Sequence, residues 1–481
     1  MLFNSYAFIF LFLPIMFFGY FYLTSKRLIT GSKSWLVFGS LFFYSWWNII
    51  YLPLILASML FNYSIGSSLT KEIEHKKINK KTLLVFGISA NILLLSYFKY
   101  ADFFIENINM IGGTDFNLIH LLLPLGISFF TFTQIAYLVD SYRGETKEYD
   151  LLNYGLFVTF FPHLLAGPIL HHKEMMPQFD KVSNLAKNNK NIAVGIFLFS
   201  IGLFKKVVIA DTFSVWANHG FDTSISLNIV EAWATSLSYT FQLYFDFSGY
   251  TDMALGVALL FNIRLPINFN SPYKASDIQD FWRRWHITLS RFLRDYIYIP
   301  LGGNRLGSFR TYTNLLITFI LGGLWHGAGW TFIFWGFLHG MALVIHRFWS
   351  NLGFRMWTWL GWFVTFNFVN ISWIFFRAKE WDDAIKVLNG MFLIDAFEDF
   401  AMYDIVDDFF NMYDFAAVNT ISLVIICVMF VVVIFSFFFS NSNQYAEKLV
   451  LSKKLVLFVV LLLALDILSL SKISEFLYFN F

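Results

Sequence analysis

Leu315-Leu316-Ile317-Thr318-Phe319-Ile320-Leu321-Gly322-Gly323-Leu324 runs without a charge into Trp325-His326-Gly327-Ala328-Gly329. Such a run belongs in hydrocarbon, where an ionisable side chain is costly unless it is paired or performs chemistry. A neutral imidazole is also the side chain best suited to moving a proton near neutral pH. Upstream lies a second unusual segment, Phe281-Trp282-Arg283-Arg284-Trp285-His286-Ile287-Thr288-Leu289-Ser290. Two histidines, a basic aromatic segment and an apolar surround point to chemistry inside a membrane.

Composition agrees. Of 481 residues, 57% are hydrophobic and 14% charged, against about 25% charged in a soluble domain. Mean hydropathy is +0.60. The chain reads as an all-α, polytopic membrane protein dominated by spans. Its 62 phenylalanines and 16 tryptophans supply lipid-facing and interfacial rings. The net charge of +2 points to no particular partner, and no nucleic-acid partner is expected. A single cysteine, Cys427, rules out an intramolecular disulfide and reads as a packing residue. The first apolar stretch, Tyr6 to Leu23, lacks a basic flank and a small-residue cleavage site, so it reads as the first span.

A spanning helix takes about 20 apolar residues. Candidates are Tyr6–Leu23, Trp35–Trp47, Tyr51–Ser68, Thr82–Phe98, Leu118–Val139, Leu151–Leu170 and Ile192–Ala210. Val230–Phe261, Asn314–Trp325, Thr331–Trp349, Trp357–Phe376, Ile421–Phe439 and Leu455–Leu470 follow. Together they imply roughly eleven to thirteen membrane segments. Val230–Phe261 is too long for one simple span and carries Asp246 and Asp252, so two segments or a broken helix lining a cavity are expected. Asn314–Trp325 is too short to cross straight and is expected to tilt or re-enter. Lys26, Arg27 and Lys33, then Lys71, Lys76, Lys77, Lys80 and Lys81, mark two cytoplasmic loops and place the N-terminus outside. The acid-rich stretch from Glu380 to Asp414, with Lys386 as its base, fits an extracytoplasmic loop. No repeat or linker divides the chain, and residues 1–481 are taken as one membrane domain.

Three segments carry chemistry. Ser276 to Arg305 interleaves Arg283, Arg284, His286, Arg291, Arg294 and Arg305 with aromatic residues, and reads as an amphipathic helix at the cytoplasmic interface. Its arginines either fork onto the phosphates of an anionic donor or snorkel into lipid headgroups. A headgroup-binding helix has no need of His286, which favours the donor. Gly322 to Gly340 is glycine-rich, permitting close helix approach or leaving space for a substrate. There His339 reads as a hydrogen-bonded packing residue and His346 as interfacial. In Tyr244 to Asp252, Asp246 has two open readings: it orients a histidine, or it pairs with an arginine of the Arg283–Arg294 segment. A metal needs three or more well-placed ligands, and only His286, His326 and Asp246 could be nominated. No metal is expected, and no Gly-x-Ser-x-Gly elbow signals a serine acyl-enzyme.

Asn268-Phe269-Asn270-Ser271-Pro272-Tyr273, Phe281 to Ser290, and Tyr298-Ile299-Pro300-Leu301-Gly302-Gly303-Asn304-Arg305 closely resemble membrane-bound O-acyltransferases. The likeness is to the bacterial branch of alginate and peptidoglycan O-acetylation membrane subunits. It extends to Pro124–Phe129, Phe161-Pro162, Gly167-Pro168-Ile169, Asp246–Tyr250, Trp325-His326-Gly327 and the closing Phe476–Phe481. The resemblance implies a helical bundle around a central tunnel, with re-entrant or interfacial helices, in the bacterial cytoplasmic (inner) membrane. His326 matches the family's catalytic histidine and His286 the other signature histidine. An acyl donor is expected in the cytoplasm, with an extracytoplasmic acetyltransferase partner protein completing transfer to a glycan.

The expected activity is O-acetylation of a cell-envelope polysaccharide, peptidoglycan or an alginate-like exopolysaccharide. Acetyl-CoA is the expected donor substrate, and no tightly bound cofactor is expected. His326 would serve as base, since acyl transfer to a hydroxyl needs one. His286, or a nearby amide or indole, would steady the carbonyl, and Asp246 would orient a histidine. Arg283, Arg284, Arg291, Trp285, Trp325, Asn270 and Tyr250 are the candidate substrate- and donor-binding residues. The rivals are D-alanyl transfer to teichoic acid from a carrier protein, a non-enzymatic transporter or flippase, and a scaffold that recruits a secreted transferase. A transporter would favour inverted repeats with paired broken helices, and none is evident.

Overall fold

The computed structural model describes residues 1–70, 79–146, 150–392, 437, 440–470, 476 and 477. Every regular element among them is helical, because only a helix satisfies its own backbone within one apolar run. Among the described residues, six helices are long and apolar enough to cross a membrane: Ala7–Ser25, Ile49–Thr70, Lys80–Gly112, Asn189–Thr223, Trp330–Asn351 and Thr358–Arg377. Cys427, the expected span Ile421–Phe439 apart from Phe437, and the acidic residues from Asp395 to Asp414 lie outside the described residues.

The chain forms two compact units. The first comprises Met1–Leu203, Tyr250–Ile267 and Leu449–Phe481. Within it, neutral side chains tie the helices Leu52–Thr70, Lys80–Gly112 and Ile127–Arg143 together. Asn62 Nδ2 donates to Asn91 Oδ1 at 3.1 Å, Asn91 Nδ2 returns a bond to Asn62 Oδ1 at 2.6 Å, and Ser58 Oγ donates to Gln134 Oε1 at 3.0 Å. Interhelical hydrogen bonds of this kind contribute about 0.6 kcal/mol each on average in lipid. Lys33, read as a loop charge, instead reaches Asp180 at 2.7 Å and Asn153 at 2.9 Å.

The second unit comprises Phe204–Gly249 and Asn268–Lys448. Three sequence expectations change around it. Val230–Phe261 is neither two segments nor a broken helix: one unbroken helix of 32 residues covers Ile229–Leu260. The charge of Asp246 is matched, with Lys206 Nζ 2.6 Å from Asp246 Oδ1 and 2.9 Å from Asp211 Oδ1. The short Asn314–Trp325 run is the end of a 20-residue helix, Gly307–His326, about 30 Å long. Its first residues, Gly307–Arg310, are exposed, and buried Asn314 further along donates through Nδ2 to Gly303 O at 3.0 Å. Ser276–Arg305 is not one amphipathic helix. It is two seven-residue helices, Ile278–Arg284 and Ile287–Leu293, followed by a π-helical turn, Arg294–Tyr298.

Candidate functional site

The break between those two short helices makes the site. Asp277 opens the first, its Oδ1 accepting the Asp280 N–H at 2.7 Å. Trp285 leaves the helix in an extended conformation, and His286 follows in the left-handed region at φ 42° and ψ 54°. That conformation costs a non-glycine residue about 1–3 kcal/mol and persists only when its surroundings hold it. Asn268 holds it. Its carbonyl O accepts the Ile287 N–H at 3.0 Å, and its Oδ1 accepts the Thr288 N–H at 3.1 Å and the Thr288 hydroxyl at 2.9 Å. These bonds satisfy first-turn N–H groups that an ordinary cap residue would take.

The same arrangement fixes the chemistry of His286. A backbone N–H only donates, so the amide atom facing Thr288 is the oxygen of Asn268. That oxygen lies 3.2 Å from His286 Nδ1. The proton of the neutral ring is therefore on Nδ1, and Nε2 presents a lone pair. His286 is fully buried. Phe247 stands edge-on to it at 4.7 Å between ring centroids, and Trp325 lies at 6.3 Å.

His326 ends the Gly307–His326 helix, which forms a hairpin with Trp330–Asn351. The glycines here serve close approach. A Cβ on Gly323 would lie 2.3 Å from Phe332 O, and one on Gly336 would lie 2.3 Å from Phe319 O. His326 is thereby set among rings, with centroids at 4.8 Å for Trp325, 5.2 Å for Trp335 and 5.0 Å for Phe376. Trp325 thus touches both His286 and His326.

The other two histidines of this hairpin, His339 and His346, have partners. Trp282 Nε1 donates to His339 Nδ1 at 3.2 Å, and His339 Nε2 donates to Ser372 Oγ at 2.9 Å. The Ser372 hydroxyl in turn donates to Val369 O at 2.8 Å. His346 Nε2 lies 3.8 Å from Asp277 Oδ1. Among the described residues, no three His, Cys, Asp or Glu side chains gather as a metal would require.

The remaining candidates spread over both units. Trp285 is buried among Phe281, Phe269 and Trp373, at centroid distances of 5.7, 5.1 and 4.9 Å. Arg283 is exposed and Arg291 half-buried. Arg284 bonds Asp280 Oδ2 through Nε at 2.9 Å and Asn270 O through a terminal nitrogen at 3.4 Å. Asn270 Oδ1 accepts from Asn441 Nδ2 at 2.9 Å. Tyr250 belongs to the first unit, stacked on Phe3 and Phe476 at 4.9 and 4.5 Å. Asp246 takes Lys206 as an ion-pair partner, a residue neither sequence reading had considered. Two residues escaped the sequence reading as individuals. Lys206 had a signal, since Lys205 and Lys206 interrupt the apolar run Ile192–Ala210. Asn268 stood inside a quoted motif with nothing to mark it as the residue that orients His286.

Residues 43–379, which contain Lys206, Asp246, Asn268, His286 and His326, match the model of the membrane-bound O-acyltransferase family. The chain is 48% identical to the peptidoglycan O-acetyltransferase of Helicobacter pylori, over 100% of this chain and 98% of that protein. It is 43% identical to the probable alginate O-acetylase AlgI of Pseudomonas aeruginosa, over 82% of this chain and 75% of that one. A further relative, the teichoic acid D-alanyltransferase of Streptococcus thermophilus, is 30% identical over 56% of this chain and 70% of its own.

Proposed function

The chain belongs to the membrane-bound O-acyltransferase family, and on that premise we propose that it moves an acetyl group from cytoplasmic acetyl-coenzyme A across the membrane for O-acetylation of an envelope polysaccharide. It is an acyltransferase and a multi-pass protein of the bacterial inner membrane. The full-length likeness to a peptidoglycan O-acetyltransferase favours peptidoglycan as the acceptor. An extracytoplasmic acetyltransferase partner protein completes the transfer.

One observation carries the reading: two buried imidazoles flank the single indole of Trp325. His326 is the base. It takes the proton of an attacking hydroxyl as the new oxygen–carbon bond forms. The carbon–sulfur bond of the thioester then breaks, and the thiolate leaves with that proton. General-base catalysis of this kind contributes about 10²–10⁴-fold. His286, neutral in its fixed tautomer, offers a lone pair at Nε2 and so does not steady the carbonyl oxygen. That task falls to an N–H donor. Asn268 Nδ2 is buried and has no acceptor among the described residues. Burying such a donor without a partner costs about 1–3 kcal/mol, which an acyl oxygen would relieve. Arg283, Arg284 and Arg291 meet the donor's phosphates, and Asp246 with Lys206 anchors the long helix that carries Phe247 against His286.

The likeness to a teichoic acid D-alanyltransferase supports a second reading, D-alanyl transfer from a carrier-protein thioester. Mild alkali applied to envelopes from cells with and without the chain separates the two. Acetate should disappear from the deletion strain while D-alanine persists. Loss of D-alanine alone would favour the second reading, and loss of neither would contradict both.

A further inference from the structure

We propose that Phe376 and Trp335 set the length of the transferred acyl group, closing the space beside His326 to anything longer than acetyl. The proposal rests on His326 as the acyl-transfer base. Both side chains are buried, and both lie against the His326 ring, at 5.0 Å for Phe376 and 5.2 Å for Trp335. Withdrawal of either ring is resisted, because a close-packed interior has few voids to receive a displaced ring. Phe376 is backed by Phe332 and Trp373, each at 5.2 Å, and by Trp335 at 5.1 Å. Trp335 is stacked on Trp373 at 5.5 Å and 17°, and lies 4.8 Å from His339. His339 is pinned through both nitrogens, to Trp282 and to Ser372.

The backbone behind the wall is equally fixed. The Trp330–Asn351 helix, which carries Trp335, meets its partner where a Cβ on Gly323 or Gly336 would lie 2.3 Å from a facing carbonyl, so sliding would bring a side-chain-bearing neighbour into that space. A methyl group on the reacting carbonyl fits at van der Waals distance from such rings, about 3.5–4.0 Å. The next methylene collides with one of them. One methylene in an apolar pocket is discriminated by roughly 10–200-fold.

The test uses cells expressing the parent chain, Phe376→Leu, Phe376→Val or Trp335→Phe, each supplied with propionate. Ester-linked acids are released from the envelope by alkali and weighed as a propionyl-to-acetyl ratio, which cancels differences in protein abundance. At least one variant should raise that ratio by about tenfold while still transferring acetyl. The proposal is overturned if no variant raises it, whether because the parent's ratio persists or because all three transfer neither acid. A His326→Ala strain run in parallel tests the reading beneath: continued acetylation there removes His326 as base, whatever the wall variants do.

Discussion

In the first unit, Asn62, Asn91 and Gln134 join three long helices through neutral amides. In the second, Lys206, Asp246, His286 and His326 are buried in an equally apolar setting. The two regions solve the same problem, polar atoms away from water, with different chemistry. An amide pair carries no net charge and moves no proton, so it acts as a clasp between helices. An ionisable group in the same surroundings is far costlier and persists when it is paired or performs chemistry. Lys206 and Asp246 are the paired case. On the proposed function, His286 and His326 are the chemical one.

Substitutions can break this contrast, the largest effect coming from the ion pair. Lys206→Met leaves Asp246 buried without that cation, and breaking a buried pair costs about 3–5 kcal/mol. The protein's abundance in membranes should collapse, and the double variant Lys206→Met with Asp246→Leu should restore much of it. Next comes Asn268→Ala, which removes both the tautomer lock on His286 and the proposed donor to the acyl oxygen. Turnover should fall about 10²–10³-fold, with KM for the donor little changed. A larger change in KM than in kcat would place Asn268 in donor binding instead. The smallest effect belongs to the amide clasp. Asn62→Leu should lower stability by only about 1 kcal/mol, read as a few degrees in a detergent melting curve, with activity per folded molecule unchanged. A loss of turnover there would erase the distinction between the two regions.

Much of this was legible in the chain. Apolar runs near span length announce helices, and the histidine at the end of Leu315–Leu324 announces a function. What was hidden is tertiary. The charge of Asp246 within Ile229–Leu260 is met by Lys206, which lies in a different helix, and nothing near Asp246 in sequence reveals it. The break at His286 has no glycine or proline to mark it, because Asn268 supplies the force from eighteen residues upstream. The glycines of Gly322 to Gly340 permitted two readings, and only the facing carbonyls decide for close approach.

The proposed role of the buried His326 imidazole is to perform the acyl transfer. Its most direct measurement is the ester-linked acetate released by alkali from envelopes of cells whose only copy carries His326→Ala, with membrane abundance of the chain measured alongside. The prediction is near-complete loss of acetate at normal abundance. Acetate at the parent's level, from a variant equally present in the membrane, would contradict it.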